Sequence, residues 1–187
     1  MDTMKEALFM KKPDVYRLVL SAMFVALGFA LPYLTGQLQA LGNMLSPMHI
    51  PVLLCGFVCG WPWGLIVGAL TPLLRSLILG MPPLYPIALA MAFEMAAYGA
   101  AAGLLYAKLN KSPLNILLSL VAAMLAGRLV WGLAMFALVG ASGGSFGFQA
   151  FLGGAFINAW PGIILHIALI PPLVMALEKA KFIPLKA

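Results

Sequence analysis

The chain has 187 residues, 64% of them hydrophobic and only 9% charged, with a net charge of +6 and a mean hydropathy of +1.05. A soluble domain averages about 25% charged residues, and a surface this poor in charge would not stay dissolved. The composition therefore excludes a water-soluble globule and predicts an all-α integral membrane bundle. A single membrane domain, 1–187, is expected, with no separate soluble domain. The charged leader and the long first apolar stretch also predict no cleavable signal peptide.

A spanning helix needs about 20 mostly apolar residues, and six candidates follow in chain order: 15–34, 47–60, 62–80, 84–107, 114–139 and 149–177. The first carries Ala22, Ala26 and Ala30 at a four-residue repeat beside larger residues, a face open to a partner helix as well as to internal packing. The second is short and begins at Pro47 and Pro51, which predicts a tilted or irregular start. Its Cys55 and Cys59 share a helix face, and two thiols alone make no zinc site. Gly-Trp-Pro-Trp at 60–63 is a tight turn into the third candidate. Gly56, Gly60, Gly64 and Gly68, and then Ala88, Ala92, Ala96 and Ala100 on the fourth, form small-residue ladders that let backbones approach closely. The stretch 140–148 is a flexible Gly/Ser loop, and Trp160-Pro161 predicts a kink or re-entry in the sixth candidate.

Lys and Arg set the orientation. Lys5, Lys11, Lys12 and Arg17 precede or open the first helix, Lys108 and Lys111 lie between the fourth and fifth, and Lys179, Lys181 and Lys186 follow the sixth. With six spans these groups fall on one side, while the loops 35–46, 80–84 and 140–148 contain no Lys or Arg. The positive-inside rule then puts both termini in the cytoplasm. The basic excess is a topology signal with contact to anionic lipid, not a nucleic-acid patch.

Arg75, Glu94 and Arg128 remain inside the spans, in the outer half or near the midplane. Such charges are costly, face the interior, pair with one another, or mark a pathway. Glu94 and Tyr98 share a face of the fourth helix, as do Arg128 and Trp131 on the fifth. Asn158, Gly162 and His166 form a stripe on the sixth. Polar groups beside aromatics on three successive helices predict a small-molecule pocket. One arginine would pair with Glu94 and leave the other for an anionic ligand group, since Arg suits bidentate carboxylate binding. Glu94 also reads as a purely structural pair or as a proton site. His166 alone reads more often as a hydrogen-bonded interior histidine than as a ligand, and His49, between Pro47 and Pro51, reads equally as a loop-structuring residue or as a ligand contact. Gln37, Gln39 and Asn43 in the uncharged loop 35–46 would fold over the pocket mouth with loop 140–148 as a lid.

The sequence contains no Walker A motif, no HExxH and no Gly-x-Ser-x-Gly. No catalytic constellation, metal site or cofactor site is predicted.

With these residues in place, the chain resembles an S component, the substrate-binding membrane subunit of an energy-coupling factor (ECF) vitamin transporter. The likeness spans nearly the whole chain. Its most specific local feature is Ala22-Met-Phe-Val-Ala26 after Arg17, similar to the family's Ala-x-x-x-Ala docking motif. The run 47–83 and "FEMAAYG" resemble members that handle small vitamins such as pantothenate. The resemblance implies a pocket open to the outside, built from the outer parts of helices four to six and the loops. It also implies docking through Ala22 and Ala26 to a transmembrane T component driven by two cytoplasmic ATPases, in a prokaryotic cell membrane. Substrate contacts are then expected from Arg75, Glu94, Tyr98, Arg128, Trp131, Asn158, His166, Gln39 and Asn43, with pantothenate the first candidate ligand. The alternative is a self-contained proton-coupled carrier using Glu94, although no internal repeat of the kind such carriers use is visible.

Overall fold

The computed structural model describes residues 12–35, 44–110 and 112–180, and the described residues are helical with short turns between. Helix α1 covers Lys12–Ala30 and tightens into a 3-10 turn over Leu31–Thr35, where Pro32 prevents a regular continuation. Helix α2 is His49–Cys59 and α3 is Trp61–Leu79. Gly60 joins them at φ 91°, a conformation that favours glycine. Gly80, at φ 70°, terminates α3. A π turn at Leu84–Ala88 leads into α4, Leu89–Lys108. Ser112 caps α5, Pro113–Ala141, by accepting from the Asn115 backbone N–H at 3.2 Å. A short α6, Phe148–Leu152, runs into a second π turn at Gly153–Ile157, and α7 covers Trp160–Lys179 with Pro161 in its first turn.

Among the described residues, five helices are long and apolar enough to cross a membrane: Val15–Tyr33, Trp61–Leu79, Leu84–Lys108, Pro113–Ala141 and Trp160–Lys179. Two of the six sequence candidates differ in their bounds, although the irregular start of the second and the interruption of the sixth at Trp160-Pro161 are as expected. The second, 47–60, yields only the 11 residues of α2. At about 1.5 Å per residue that reaches roughly half of a ~30 Å hydrocarbon core. The sixth, 149–177, is broken by a turn at Asn158–Ala159, so the membrane-length helix begins at Trp160. Trp160 is thus a helix start, exposed on the bundle's outside.

Helix α2 is the bundle's axis, and every one of its residues is buried. Its first residue, His49, lies beside Glu94 of α4. Farther along, Gly56 abuts Gly99, and past its end Trp61 abuts Gly103. Helices α2 and α4 therefore run in the same direction, and α3 returns against them. A chain that begins a helix inside a bundle must have its irregular backbone covered by protein, and α4 and α7 supply that cover.

The glycine ladder is the α3–α4 seam. A Cβ on Gly64 would sit 2.6 Å from the Gly99 carbonyl oxygen, and Gly68 and Gly99 likewise face backbone with no room for a side chain. Cys55 and Cys59 are free and buried, Cys55 Sγ lying 3.7 Å from Ser21 Oγ, as small packing residues would. Leu53, Phe57, Met95, Leu120 and Ile170 complete the core. Leu77, Leu129, Leu133 and Phe136 are exposed on the opposite faces, where a bilayer replaces water as solvent. Two tyrosines tie elements together: the Tyr85 hydroxyl donates to the Leu138 carbonyl, and the Tyr106 hydroxyl donates to the Glu178 carboxylate.

Candidate functional site

Glu94 lies at the middle of the bundle, 2% exposed. Arg128 of α5 places Nη1 2.9 Å from its Oε1, and the Tyr98 hydroxyl donates to the same oxygen at 3.0 Å. The geometry follows from sequence. Tyr98 is one helical turn from Glu94. Gly127, beside Arg128, lets α5 approach: a Cβ there would run into the Tyr98 ring. Removing one partner of such a buried pair leaves an uncompensated charge, at a cost of about 3–5 kcal/mol.

On the opposite side of Glu94 stands His49, whose Nε2 is 3.7 Å from Oε2. That is too long for a hydrogen bond, and neither His49 ring nitrogen has a hydrogen-bond partner among the described residues. The ring is held by its neighbours, edge-on to Tyr98 at 5.3 Å and tilted against His166 at 6.2 Å. His166 Nε2 lies 3.3 Å from the Ser46 carbonyl oxygen. Ser46 takes a left-handed φ of 47°, uncommon for a residue with a side chain. The segment before it rests on α7 at Gly162, where a Cβ would fall 2.6 Å from the Met44 carbonyl oxygen. Five elements thus converge: the 44–48 turn, α2, α4, α5 and α7.

Of the residues expected to bind substrate, Glu94, Tyr98 and Arg128 are in direct contact, and His166 adjoins them through His49. Arg75 stands apart. Its Nη1 donates to the Phe29 carbonyl at 3.0 Å and its guanidinium lies 5.9 Å from the Tyr33 ring centroid, so its contacts are with the end of α1. The partner of Glu94 is Arg128. Trp131, one turn beyond Arg128, packs edge-on to Phe146 at 5.7 Å and along Phe151 at 6.4 Å, which makes it part of an aromatic layer around α6. Asn158 is exposed in the turn before α7, its backbone N–H bonded to the Gly153 carbonyl at 2.9 Å. Gln39 and Asn43, with the rest of 36–43 from the first of the two expected lid loops, lie outside the described residues. Beside Arg128 a cleft of about 160 Å³ opens between α5 and α7, walled by Met124, Leu125, Phe156, Ile163 and Ile167. His49, which the sequence left open between a loop-structuring role and ligand contact, joins this cluster. The signal for it was present, since it is the one strongly polar side chain in the otherwise apolar 49–59 run.

A buried, hydrogen-bonded ion pair thus lies among the apolar helices of a multi-pass membrane protein, where such charges pair with one another or mark a pathway. Among the described residues no group of three His, Cys, Asp or Glu side chains is placed to hold a metal ion. The family of ECF transporter substrate-specific components matches residues 16–174, and the chain belongs to that family. Its members are substrate-binding subunits of transporters and not enzymes. Membership implies a T component and ATPase subunits as partners and a lipid bilayer as solvent. No curated protein and no solved structure matches the chain.

Proposed function

We propose that this chain captures a small vitamin or related micronutrient at the outer face of a prokaryotic cell membrane and delivers it through a T component powered by two cytoplasmic ATPases. The observation that carries the reading is the Glu94–Arg128–Tyr98–His49 cluster, buried where α4, α5 and α7 meet the start of α2. Pantothenate is the first candidate, because its hydroxyl and amide groups match a site that offers both donors and acceptors. Ala22, Ala26 and Ala30 are exposed along α1, with Met23 and Leu27 beside them. This supports α1 as the docking face for the T component. The shared direction of α2 and α4, with α3 antiparallel to both, supports an even number of passes and both termini on the cytoplasmic, Lys-rich side.

The test is reconstitution of the purified chain alone in liposomes with radiolabelled pantothenate. The proposal predicts saturable binding and no accumulation, with or without a pH gradient. Accumulation driven by a pH gradient would instead establish the self-contained carrier with Glu94 as its proton site.

A further inference from the structure

The position of His49 carries the account beyond substrate capture to the chemistry that is recognised, an inference that rests on reading the bundle as a receptor. The residue is 4% exposed, its ring is wedged between Tyr98 and His166, and both nitrogens are buried without a hydrogen-bond partner among the described residues. An unmet buried polar group is more costly than a made hydrogen bond is favourable, so such a ring in a tightly packed bundle marks a contact that something else completes.

Glu94 shows the complementary deficit. Its Oε1 takes both Arg128 and Tyr98, whereas the contact described for Oε2 is His49 Nε2 at 3.7 Å. A hydroxyl oxygen set about 2.8 Å from each atom closes that gap, donating its proton to Oε2 and accepting from Nε2–H. A carboxylate does not fit the same position, because it has no proton to give Oε2 and would set two negative groups together. Arg128 gives Nη1 to Glu94 and, although its Nε has no hydrogen-bond partner among the described residues, the pair is neutral in sum, so this end of the site offers an anion no net charge.

We propose that His49 is a ligand-binding residue that, with Glu94 Oε2, recognises a neutral hydroxyl group of the substrate. Specificity at this point of the site is for an alcohol, and a substrate's carboxylate, where it has one, lies elsewhere.

The test is titration calorimetry of the full chain in lipid nanodiscs with three probes: pantothenate, which has hydroxyls and a carboxylate; pantothenol, which keeps the hydroxyls and lacks the carboxylate; and nicotinate, which has a carboxylate and no hydroxyl. Wild type should bind the first two within tenfold of each other and nicotinate at least a hundredfold more weakly. His49→Phe should bind both hydroxylated probes at least tenfold more weakly, with a ligand-free melting temperature no lower than wild type, because it removes unmet nitrogens without opening a cavity. His49→Leu carries the same binding expectation if the larger ring does not fold. Unchanged affinity in these variants, or nicotinate binding as tightly as pantothenol, overturns the proposal. So does a lowered ligand-free melting temperature in His49→Phe or failure of both variants to fold, each of which would mark a structural His49–Glu94 bond. Wild type binding none of the probes removes the receptor reading of this cluster as well. Wild type binding pantothenate with His49→Phe unchanged removes this inference alone.

Discussion

Replacing Arg128 with Met tests the energetic core of the site. The substitution preserves most of the side-chain volume and removes the charge that sits 2.9 Å from Glu94 Oε1. Glu94 is 2% exposed, so water cannot take over, and one hydroxyl bond from Tyr98 is all that remains on that oxygen. Breaking a buried pair from one side costs about 3–5 kcal/mol. For a chain of this size about 2–4 °C of melting temperature is lost per kcal/mol, which gives a drop of roughly 6–20 °C. The double variant Arg128→Met/Glu94→Met should recover most of that loss, since an apolar replacement of a buried pair is close to neutral. The assay is thermal unfolding in detergent followed by intrinsic fluorescence, with Leu129→Met on the exposed neighbouring face as control. A fall for Arg128→Met no larger than the control's, or a double variant as unstable as the single, would refute the claim that the pair is buried and mutually dependent.

Three further outcomes follow from the same geometry. Tyr98→Phe removes a hydrogen bond to a charged group and should cost about 1.5–3 kcal/mol in the same unfolding assay, with weaker ligand binding. Gly99→Val puts a side chain where the Gly64 backbone lies, and should abolish monodisperse folded protein in size-exclusion chromatography, while Gly140→Val, at an open position, should not. Ala22→Trp/Ala26→Trp alters an exposed face of α1, so ligand binding to the isolated chain should be unchanged while uptake in liposomes containing the T component and ATPases is lost.

Helix existence and class were legible because long apolar runs admit few alternatives. The short length and irregular start of α2 were legible from Pro47 and Pro51, while its first residue was not, because the run remains apolar through the residues before His49. The break at Asn158–Ala159 was legible as the kink or re-entry expected at Trp160-Pro161, while the π turn before it at Gly153–Ile157 was not. Within the site, the Glu94–Tyr98 contact followed from helical spacing alone. The choice between Arg75 and Arg128 required helix rotation, which spacing within one helix does not give. Two clues carried it. Gly127 marks the α5 face that presses on Tyr98, and Thr71, one turn before Arg75, packs against Gly28 and so turns that face of α3 toward α1. His49 stands out locally as the one strongly polar side chain of its run, while its place beside Glu94 is set by the path of α2 across the bundle.

Native mass spectrometry of the chain purified from cells and released from nanodiscs puts the central claim to its most direct test. Wild type should carry one small hydroxyl-bearing molecule per chain, and Glu94→Gln should carry markedly less. A wild-type protein that emerges with no bound molecule after incubation with pantothenate, or a Glu94→Gln variant that retains its ligand in full, would contradict a binding site built on Glu94.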